Sequence, residues 1–269
     1  MQAQDAVFAG SLPEFYDRMM VPLIFEPYAQ DLARRAAQAR PRTLLEIAAG
    51  TGVVTRALTA TLPDTRIVAT DLNEPMLAFA KTRQRDGARI EWKQADALAL
   101  PFDDKSFDAV VCQFGAMFFP DKIQAYREAR RVLKDGGLFL FNVWDRIAAN
   151  DFADVVTQCL ARLFPADPPC FLARTPHGYH DTKRIVAELA EAGFTNIVIE
   201  AVDATSKAGS PLDPAMAYCQ GTPLRTEIVA RDADGLDRAT EAAAAALAER
   251  FGRGRISGRI RAFVLSARR

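Results

Sequence analysis

The chain has 269 residues, of which 49% are hydrophobic and 25% are charged, so it can bury a sizeable globular core. Its 34 basic and 34 acidic residues cancel, and no overall field favours nucleic acid or an anionic membrane. Four cysteines without a Cys-x-x-Cys pair argue against a zinc site and a disulfide framework. A secretory signal pattern and an apolar run of about 20 residues are both missing, so we expect a cytoplasmic protein with no membrane partner.

Along the first half of the chain, helical and strand-like patterns alternate. Apolar residues predict a helix from Pro13 to Arg40 with breaks near Pro22 and Pro27. Five strands are predicted at Thr43–Ile47, Arg66–Asp71, Ile90–Gln94, Phe107–Phe114 and Leu138–Val143. The helices between them are predicted at Val53–Thr61, Glu74–Arg85 and Lys122–Leu133, the last closed by a left-handed cap at Asp135-Gly136-Gly137. This alternation indicates a parallel sheet with helices on both faces.

The pattern changes after Trp144. Helices are predicted at Phe152–Phe164, at Asp181–Ala192 and over most of 207–252, and strands at Asn196–Asp203 and Arg255–Ala267. Residues 165–180 are Pro-rich and irregular. The last strand is rich in arginine, which we interpret as a solvent-facing strand edge protected by charge. No aromatic residues alternate with these arginines, so we expect no nucleic-acid partner.

The turn after the first strand is the most informative segment. Leu44 to Ile47 form an apolar run that contains one acid, Glu46, and the chain then continues as Ala48-Ala49-Gly50-Thr51-Gly52. Small residues at a helix N-terminus let a ligand approach the bare backbone. The next two strands also lead into acids, Asp71 and Asp96. Because the carboxyl ends of neighbouring parallel strands converge, we expect the three carboxylates to surround one guest that carries a positive group.

These motifs resemble those of the class I S-adenosylmethionine-dependent methyltransferases, over roughly residues 40–145. The matching segments are Glu46-x-Ala48-x-Gly50-x-Gly52, Asp71, Ala95-Asp96-Ala97 and Leu133-Lys134-Asp135-Gly136-Gly137. Within the class the chain is most similar to small-molecule enzymes of the quinone-biosynthesis C-methyltransferase type. Ala48 stands where the family usually has its first glycine, and we expect the change to be tolerated at a negative φ.

The resemblance implies an α/β fold. Its core would be a seven-stranded, mostly parallel, Rossmann-like sheet with an antiparallel last strand and helical cap insertions. We expect an N-terminal helical lid at 1–40 and a methyltransferase domain at 41–269, with cap insertions at about 145–180 and 207–252. The implied cofactor is S-adenosyl-L-methionine, with S-adenosyl-L-homocysteine as product. The acceptor would be a small molecule with an O, N or C nucleophile; its identity, the atom methylated and the oligomeric state, including a homodimer, stay open.

The resemblance also implies site residues. Glu46 would lie near the methionine ammonium, Asp71 would accept from both ribose hydroxyls, and Asp96 would accept from the adenine amino group. The complete set of implied cofactor contacts is Tyr16, Glu46, Ala48, Ala49, Gly50, Thr51, Gly52, Asp71, Leu72, Met76, Ala95, Asp96, Ala97, Gln113, Phe114 and Gly115. In-line positioning would supply most of the catalysis, and no metal is expected. His177 and His180, in the loop before Asp181, are candidates for a catalytic base.

Two other classes remain open at this point. Gly50-x-Gly52 followed by an acid about 20 residues later is also a pattern of NAD(P)-dependent oxidoreductases, and Tyr179-x-x-x-Lys183 resembles a dehydrogenase catalytic pair. Two features argue against an oxidoreductase. The third glycine position of the dinucleotide pattern holds Thr55, and that pattern gives Glu46 no role. A non-catalytic protein that binds a nucleotide cofactor is the third class.

Overall fold

A computed structural model describes residues 12–84 and 89–269 of the chain. Its seven strands form one sheet in the order β3-β2-β1-β4-β5-β7-β6. β1 to β5 pair in parallel, while β7 runs antiparallel to both β5 and β6. The strands are β1 Thr43–Glu46, β2 Arg66–Asp71, β3 Ile90–Gln94, β4 Phe107–Gln113, β5 Leu133–Trp144, β6 Thr195–Ala208 and β7 Ile256–Arg268. The predicted α/β sheet with an antiparallel last strand is therefore confirmed.

The helices follow the predicted alternation closely. They are α1 Leu12–Met20, α2 Glu26–Gln38, α3 Val53–Thr61, α4 Glu74–Arg83, α5 Lys122–Val132, α6 Asp151–Leu163, α7 Phe171–Arg174, α8 Thr182–Glu191, α9 Leu212–Gln220, α10 Leu224–Arg231 and α11 Leu236–Phe251. The predicted helix end at Arg85 and the first 11 residues of the predicted lid lie outside the described residues. Within the described ranges, no helix combines the length and hydropathy needed to cross a bilayer.

Two predictions about strands are wrong. The segment Asp135-Gly136-Gly137 does not cap α5, because Leu133 is already extended and pairs with Phe107. Gly136, at a φ of +74°, instead bends the chain inside β5. The arginine-rich last strand is not an edge, because β7 lies between β5 and β6.

The central strands are buried on both faces. Leu45 and Val110 belong to the apolar core on the side of the later helices, whereas Leu44 and Val111 belong to the core formed with α2 and α3. All four side chains are fully buried, and each buried side chain of this size contributes about 1.5–3 kcal/mol. This two-sided burial explains why β1 and β4 are almost continuously apolar.

The N-terminal helical region is broken where the prolines predicted it. Between α1 and α2, residues Val21–Phe25 form a π-helical segment that contains Pro22, and Pro27 lies in the first turn of α2. The backbone N–H of Glu26 donates to the carbonyl of Val21, which leaves one additional residue in the turn. Four of the five residues of this segment are buried, so the wide turn is part of the packed structure.

Helices from the second half of the chain pack together beside the sheet. α9 packs against α1, α6 and α11, and α6 also packs against β7. The side chains of α1, α7 and α9 reach a cavity at the carboxyl ends of the strands. The division into a lid at 1–40 and two cap insertions stays a prediction.

Candidate active site

A cavity of about 360 Å³ lies at the carboxyl ends of β1, β2 and β4. Glu46 ends β1, Asp71 ends β2, and Asp96 follows β3; all three line this one cavity. Every predicted cofactor contact lines it except Gly52. Parallel strands account for this convergence, because their carboxyl ends meet at the same edge of the sheet.

The turn after β1 is held in left-handed backbone conformations. Ala48 and Gly50 both have a φ of +55°, and Gly52 has a φ of +80°. The expectation that Ala48 keeps a negative φ is therefore wrong, and alanine tolerates a left-handed conformation here at a cost of roughly 1–2 kcal/mol. A Cβ atom built on Gly50 would meet no atom within 4 Å, so open space adjoins the backbone where a ligand would approach.

Gly52 has a packing role and does not line the cavity. A Cβ atom at this position would lie 3.1 Å from the Cβ of Ala80 and 3.3 Å from the ring of Trp92. Its N–H donates to the carbonyl of Ala49 at 2.9 Å, which closes the turn before α3 begins. The glycine is thus explained by close contact with α4 and β3.

Glu46 is a buried acid without a buried basic partner at contact distance among the described residues. Its side chain is 1% exposed, and Thr55 Oγ1 donates to its Oε2 at 2.6 Å. Burial raises the pKa of Glu46 to about 8, while the Thr55 hydrogen bond and the charge of Arg56 act in the opposite direction. A cationic guest beside this carboxyl would favour its ionised form.

Asp71 connects β2 to the turn after β1. Gly50 N–H donates to Asp71 Oδ2, and Asn73 N–H donates to Oδ1, each at 2.8 Å. Burial raises the pKa of Asp71, and these backbone hydrogen bonds oppose the shift. Each carboxylate oxygen can accept a further hydrogen bond, so the residue can hold the turn and a diol together.

The predicted adenine end of the cavity is more open. Asp96 is exposed and accepts from Leu98 N–H at 2.9 Å through Oδ1. Leu72 lines the cavity with 54% of its surface exposed, whereas Met76 is buried. An exposed leucine and a carboxylate that line the same cavity provide an apolar surface and an acceptor, which suits a planar base that carries an amino group.

The residues after β4 form the floor at the other end. Phe114 has a φ of +49° and stacks on Trp144, with ring centroids 3.8 Å apart and an interplanar angle of 5°. Its N–H donates to Asn142 Oδ1 at 2.9 Å, which holds the strained residue in place. Gln113 Oε1 and Thr51 Oγ1 line the cavity and are buried without a hydrogen-bond partner among the described residues. These two atoms are suited to a polar ligand.

Next to this floor the cavity becomes apolar. The sequence left open whether several methionines and phenylalanines belong to the core or to a pocket. The structure shows that the cavity is lined by Met20, Phe25, Met117, Phe118 and Phe119. Sequence reasoning missed the contributions of the later helices and loops, namely Trp144, Phe171, Leu172, Pro176, Tyr218, Thr222 and Pro223. Pro176 and Pro223 carry a turn signal, but no periodicity in the sequence predicts that these residues line one cavity.

The two candidate histidines occupy different environments. His177 lines the cavity and is 6% exposed, whereas His180 does not line it. Tyr179 is buried away from the cavity, where its hydroxyl donates to the carboxylate of Glu188 and contacts the hydroxyl of Tyr126. Lys183 is exposed on α8. The dehydrogenase-like Tyr–Lys pair therefore has no access to the predicted cofactor.

The charge of the cavity distinguishes between ligand classes. Glu46, Asp71 and Asp96 line it, and the described lining residues include no lysine or arginine. A sulfonium with an ammonium group is complementary to three acids, whereas the pyrophosphate of a dinucleotide would place two more negative charges in a cavity that three acids line. The residues present therefore fit S-adenosylmethionine better than NAD(P).

Comparisons with known proteins identify relatives of this chain. A model of the methyltransferase domain family matches residues 45–141. A demethylmenaquinone methyltransferase from Thermus thermophilus is 41% identical over 165 residues, which are 61% of this chain and 71% of the relative. A ubiquinone/menaquinone biosynthesis C-methyltransferase from Methylobacterium nodulans is 42% identical over 111 residues, which are 40% of this chain and 44% of the relative.

A solved structure supports the fold. A putative methyltransferase from Bacillus halodurans superimposes with a TM-score of 0.56 at 23% identity, and the match covers 88% of this chain and 98% of that one. Since the identity is low, this likeness concerns the fold alone. The same fold is therefore compatible with widely different sequences.

Proposed function

Because this chain belongs to the class I S-adenosylmethionine-dependent methyltransferases, we propose that its cavity binds S-adenosylmethionine and a small, apolar methyl acceptor side by side. The observation that carries this proposal is the gathering of Glu46, Asp71 and Asp96 around one cavity without a basic lining residue among those described. Class membership alone leaves the residues that hold the cofactor unassigned, and the geometry suggests them.

Each acid has a distinct proposed role. Asp71 accepts hydrogen bonds from the two ribose hydroxyls, because its two oxygens lie beside the open turn at Gly50. Glu46 pairs with the methionine ammonium, which provides the counter-charge that this buried carboxyl does not have at contact distance. Asp96 accepts from the adenine amino group, with Leu72 and Met76 against the base.

The apolar end of the cavity is the proposed acceptor chamber. When bound, S-adenosylmethionine supplies a methyl group that is already electrophilic, so the protein mainly aligns the acceptor and excludes water. Alignment of this kind can supply roughly 7–11 kcal/mol of the barrier in favourable cases. Phe25, Met117 and Phe118 form walls that would order an apolar guest beside Gln113 and Phe114. The relative named for demethylmenaquinone supports an apolar acceptor.

Calorimetric titration tests the cofactor assignment directly. S-adenosylmethionine and S-adenosylhomocysteine should each bind with a stoichiometry of one, and NAD should give no binding heat under the same conditions. NAD binding without S-adenosylmethionine binding would overturn the proposal. A screen against phenols, quinones and carboxylic acids, read as a mass gain of one methylene group, then tests transfer itself.

A further inference from the structure

His177 has a fixed orientation in the acceptor chamber. Its Nδ1 lies 2.8 Å from the backbone carbonyl of Asp145, which can only accept, so Nδ1 carries the proton and donates. Asn150 Nδ2 lies 3.5 Å from the same nitrogen, but it is closer to the carbonyls of Asp145 and Arg146, at 3.3 Å each. The other ring nitrogen, Nε2, is therefore a bare acceptor.

The sheet holds this arrangement in place. Asp145 directly follows β5, and its N–H donates to the carbonyl of Arg261 in β7 at 3.1 Å. Asn150 Oδ1 accepts from Arg261 N–H at 3.0 Å, so the same β7 residue positions both neighbours of His177. The histidine is thus held by the end of the sheet, although it lies in a loop between α7 and α8.

The surroundings keep the imidazole neutral. His177 is 6% exposed, and the ring centroid of Trp144 lies 5.9 Å away. Burial lowers the pKa of His177 to about 4, and the charge of His180 acts in the same direction. The Asp145 carbonyl and carboxylate oppose this shift. At neutral pH, Nε2 therefore has a lone pair and no proton.

The walls around it favour a neutral aromatic guest. Phe118, Phe171 and Leu172 line the chamber together with Tyr218, and the Phe118 and Phe171 ring centroids are 6.5 Å apart. With no lysine or arginine among the described lining residues, the protein itself offers an anionic acceptor no cationic partner, and only the sulfonium of the cofactor could balance its charge. An entirely apolar guest would leave Nε2 without a hydrogen bond, which costs roughly 1–3 kcal/mol for a buried group.

We propose that the methyl acceptor is a neutral molecule of the phenol class, whose hydroxyl donates a hydrogen bond to Nε2 of His177 and loses its proton to that nitrogen. This assignment rests on the proposed function, since it places the acceptor in the chamber beside the cofactor. In this role His177 is a catalytic residue that touches the substrate.

The proton balance of methyl transfer requires a proton acceptor such as Nε2 of His177. The methyl group arrives without its bonding electron pair, which stays on sulfur, so one proton must leave the phenol. The O–H bond breaks, its electron pair stays on the acceptor to form the new bond at oxygen or at the conjugated ring carbon, and an Nε2–H bond forms. When the new bond is at the ring carbon, the hydrogen on that carbon then moves as a proton to the oxygen, which restores the phenol. A weak base suffices, because the departing proton becomes strongly acidic as the new bond to carbon forms. The imidazolium then returns its proton to water after product release.

A pair of isosteric probes tests the inference without turnover. 2-Naphthol and 2-methylnaphthalene differ only by a hydroxyl in place of a methyl group, and each is titrated by calorimetry at neutral pH in the presence of saturating S-adenosylhomocysteine. We expect the wild-type protein to prefer the naphthol by about tenfold or more. His177→Phe should reduce this preference to within about threefold. His180→Asn, altered outside the cavity and still able to donate to the His177 carbonyl, should retain the preference.

A second readout avoids dependence on the folding of the variant. The measurement is made on the wild-type protein, which contains only two histidines, so the ¹⁵N resonances of the His177 ring are those that His180→Asn retains. 2-Naphthol should shift the Nε2 resonance, and 2-methylnaphthalene should leave it nearly unchanged. Equal affinities for the two probes, no binding of 2-naphthol, or an unchanged Nε2 resonance would each overturn the phenol assignment. Failure of S-adenosylhomocysteine itself to bind would instead contradict the proposed function.

Discussion

Glu46→Gln should remove a pH dependence of cofactor binding that the buried carboxyl imposes. Glu46 has a pKa raised to about 8 by burial, so at pH 7 it is about nine-tenths protonated before the cofactor binds. If the ammonium of the ligand requires the ionised form, affinity rises roughly ninefold from pH 6 to pH 7, because the ionised fraction rises by that factor. About 0.9 proton is released per ligand bound at pH 7, provided that the carboxylate is fully ionised in the complex.

Calorimetry with S-adenosylhomocysteine in two buffers of different ionisation enthalpy measures both quantities. The range from pH 6 to pH 7 is chosen because the ligand's own amino group titrates near pH 8. Asp71 also has a raised pKa, so the decisive quantity is the ratio of wild-type to Glu46→Gln affinities at each pH. A wild-type affinity that does not change over this range, or an equal slope in the variant, would refute the ammonium role.

The same carboxyl should affect the stability of the ligand-free protein. Its folded-state pKa is above the ordinary value of 4.5, so the folded state binds the proton more strongly than the unfolded state. The stabilisation associated with the neutral carboxyl is complete below about pH 4.5 and is lost as the pH rises towards 8. Chemical denaturation at several pH values should show this decline in the wild-type protein and less of it in Glu46→Gln.

Three further variants test the turn and its neighbours. Asp71→Ala should weaken S-adenosylhomocysteine binding by at least about 100-fold in calorimetry. The reason is the loss of two charge-assisted hydrogen bonds, which contribute roughly 1.5–3 kcal/mol each. Asp103→Ala, at an exposed position, is the matched control and should leave the affinity unchanged. Ala48→Gly should raise the free energy of unfolding by about 0.5–1 kcal/mol, because it relieves left-handed backbone strain. Ala49→Gly, where φ is not positive, should lower it by a similar amount. Urea denaturation measures both changes, and changes in the same direction would contradict this reasoning. Gly115→Ala places a Cβ 2.5 Å from the Ala48 Cβ and should cost about 1–3 kcal/mol, and adding Ala48→Gly should recover part of the loss in the same assay.

The sheet and its three strand-end acids could be predicted because they depend on short-range patterns. β1 and β2 are short apolar runs that end in an acid, Asp96 follows β3, and the topology of parallel units brings these ends together. Such patterns fix which residues lie at the end of a strand. They also predicted the break in the N-terminal helix, since a proline removes a backbone donor wherever it lies.

Other features depend on contacts between distant segments. Ala48 has a positive φ and lies against Gly115 after β4, and no local signal at Ala48 reports either feature. His177 and His180 lie three residues apart in one loop, but only the first contacts Asp145 at the end of β5 and lines the cavity. Phe171 and Tyr218 come from separate helices whose mutual packing creates the chamber. The position of β6 at the edge of the sheet likewise could not be predicted, because it depends on the order in which the strands pair.

The wide turn at Val21–Phe25 makes one wall of the cavity sensitive to chain length. Each residue of an α-helix advances the rotation by about 100° and the rise by about 1.5 Å. Loss of a single codon in this segment would close the turn to an ordinary helix and rotate α1 against α2 by that angle. Tyr16 would then swing away from the cavity, while Tyr28 and the sheet beneath it would stay in place. One deletion in this segment would thus change the shape of the binding chamber without any substitution in the strand-end carboxylates.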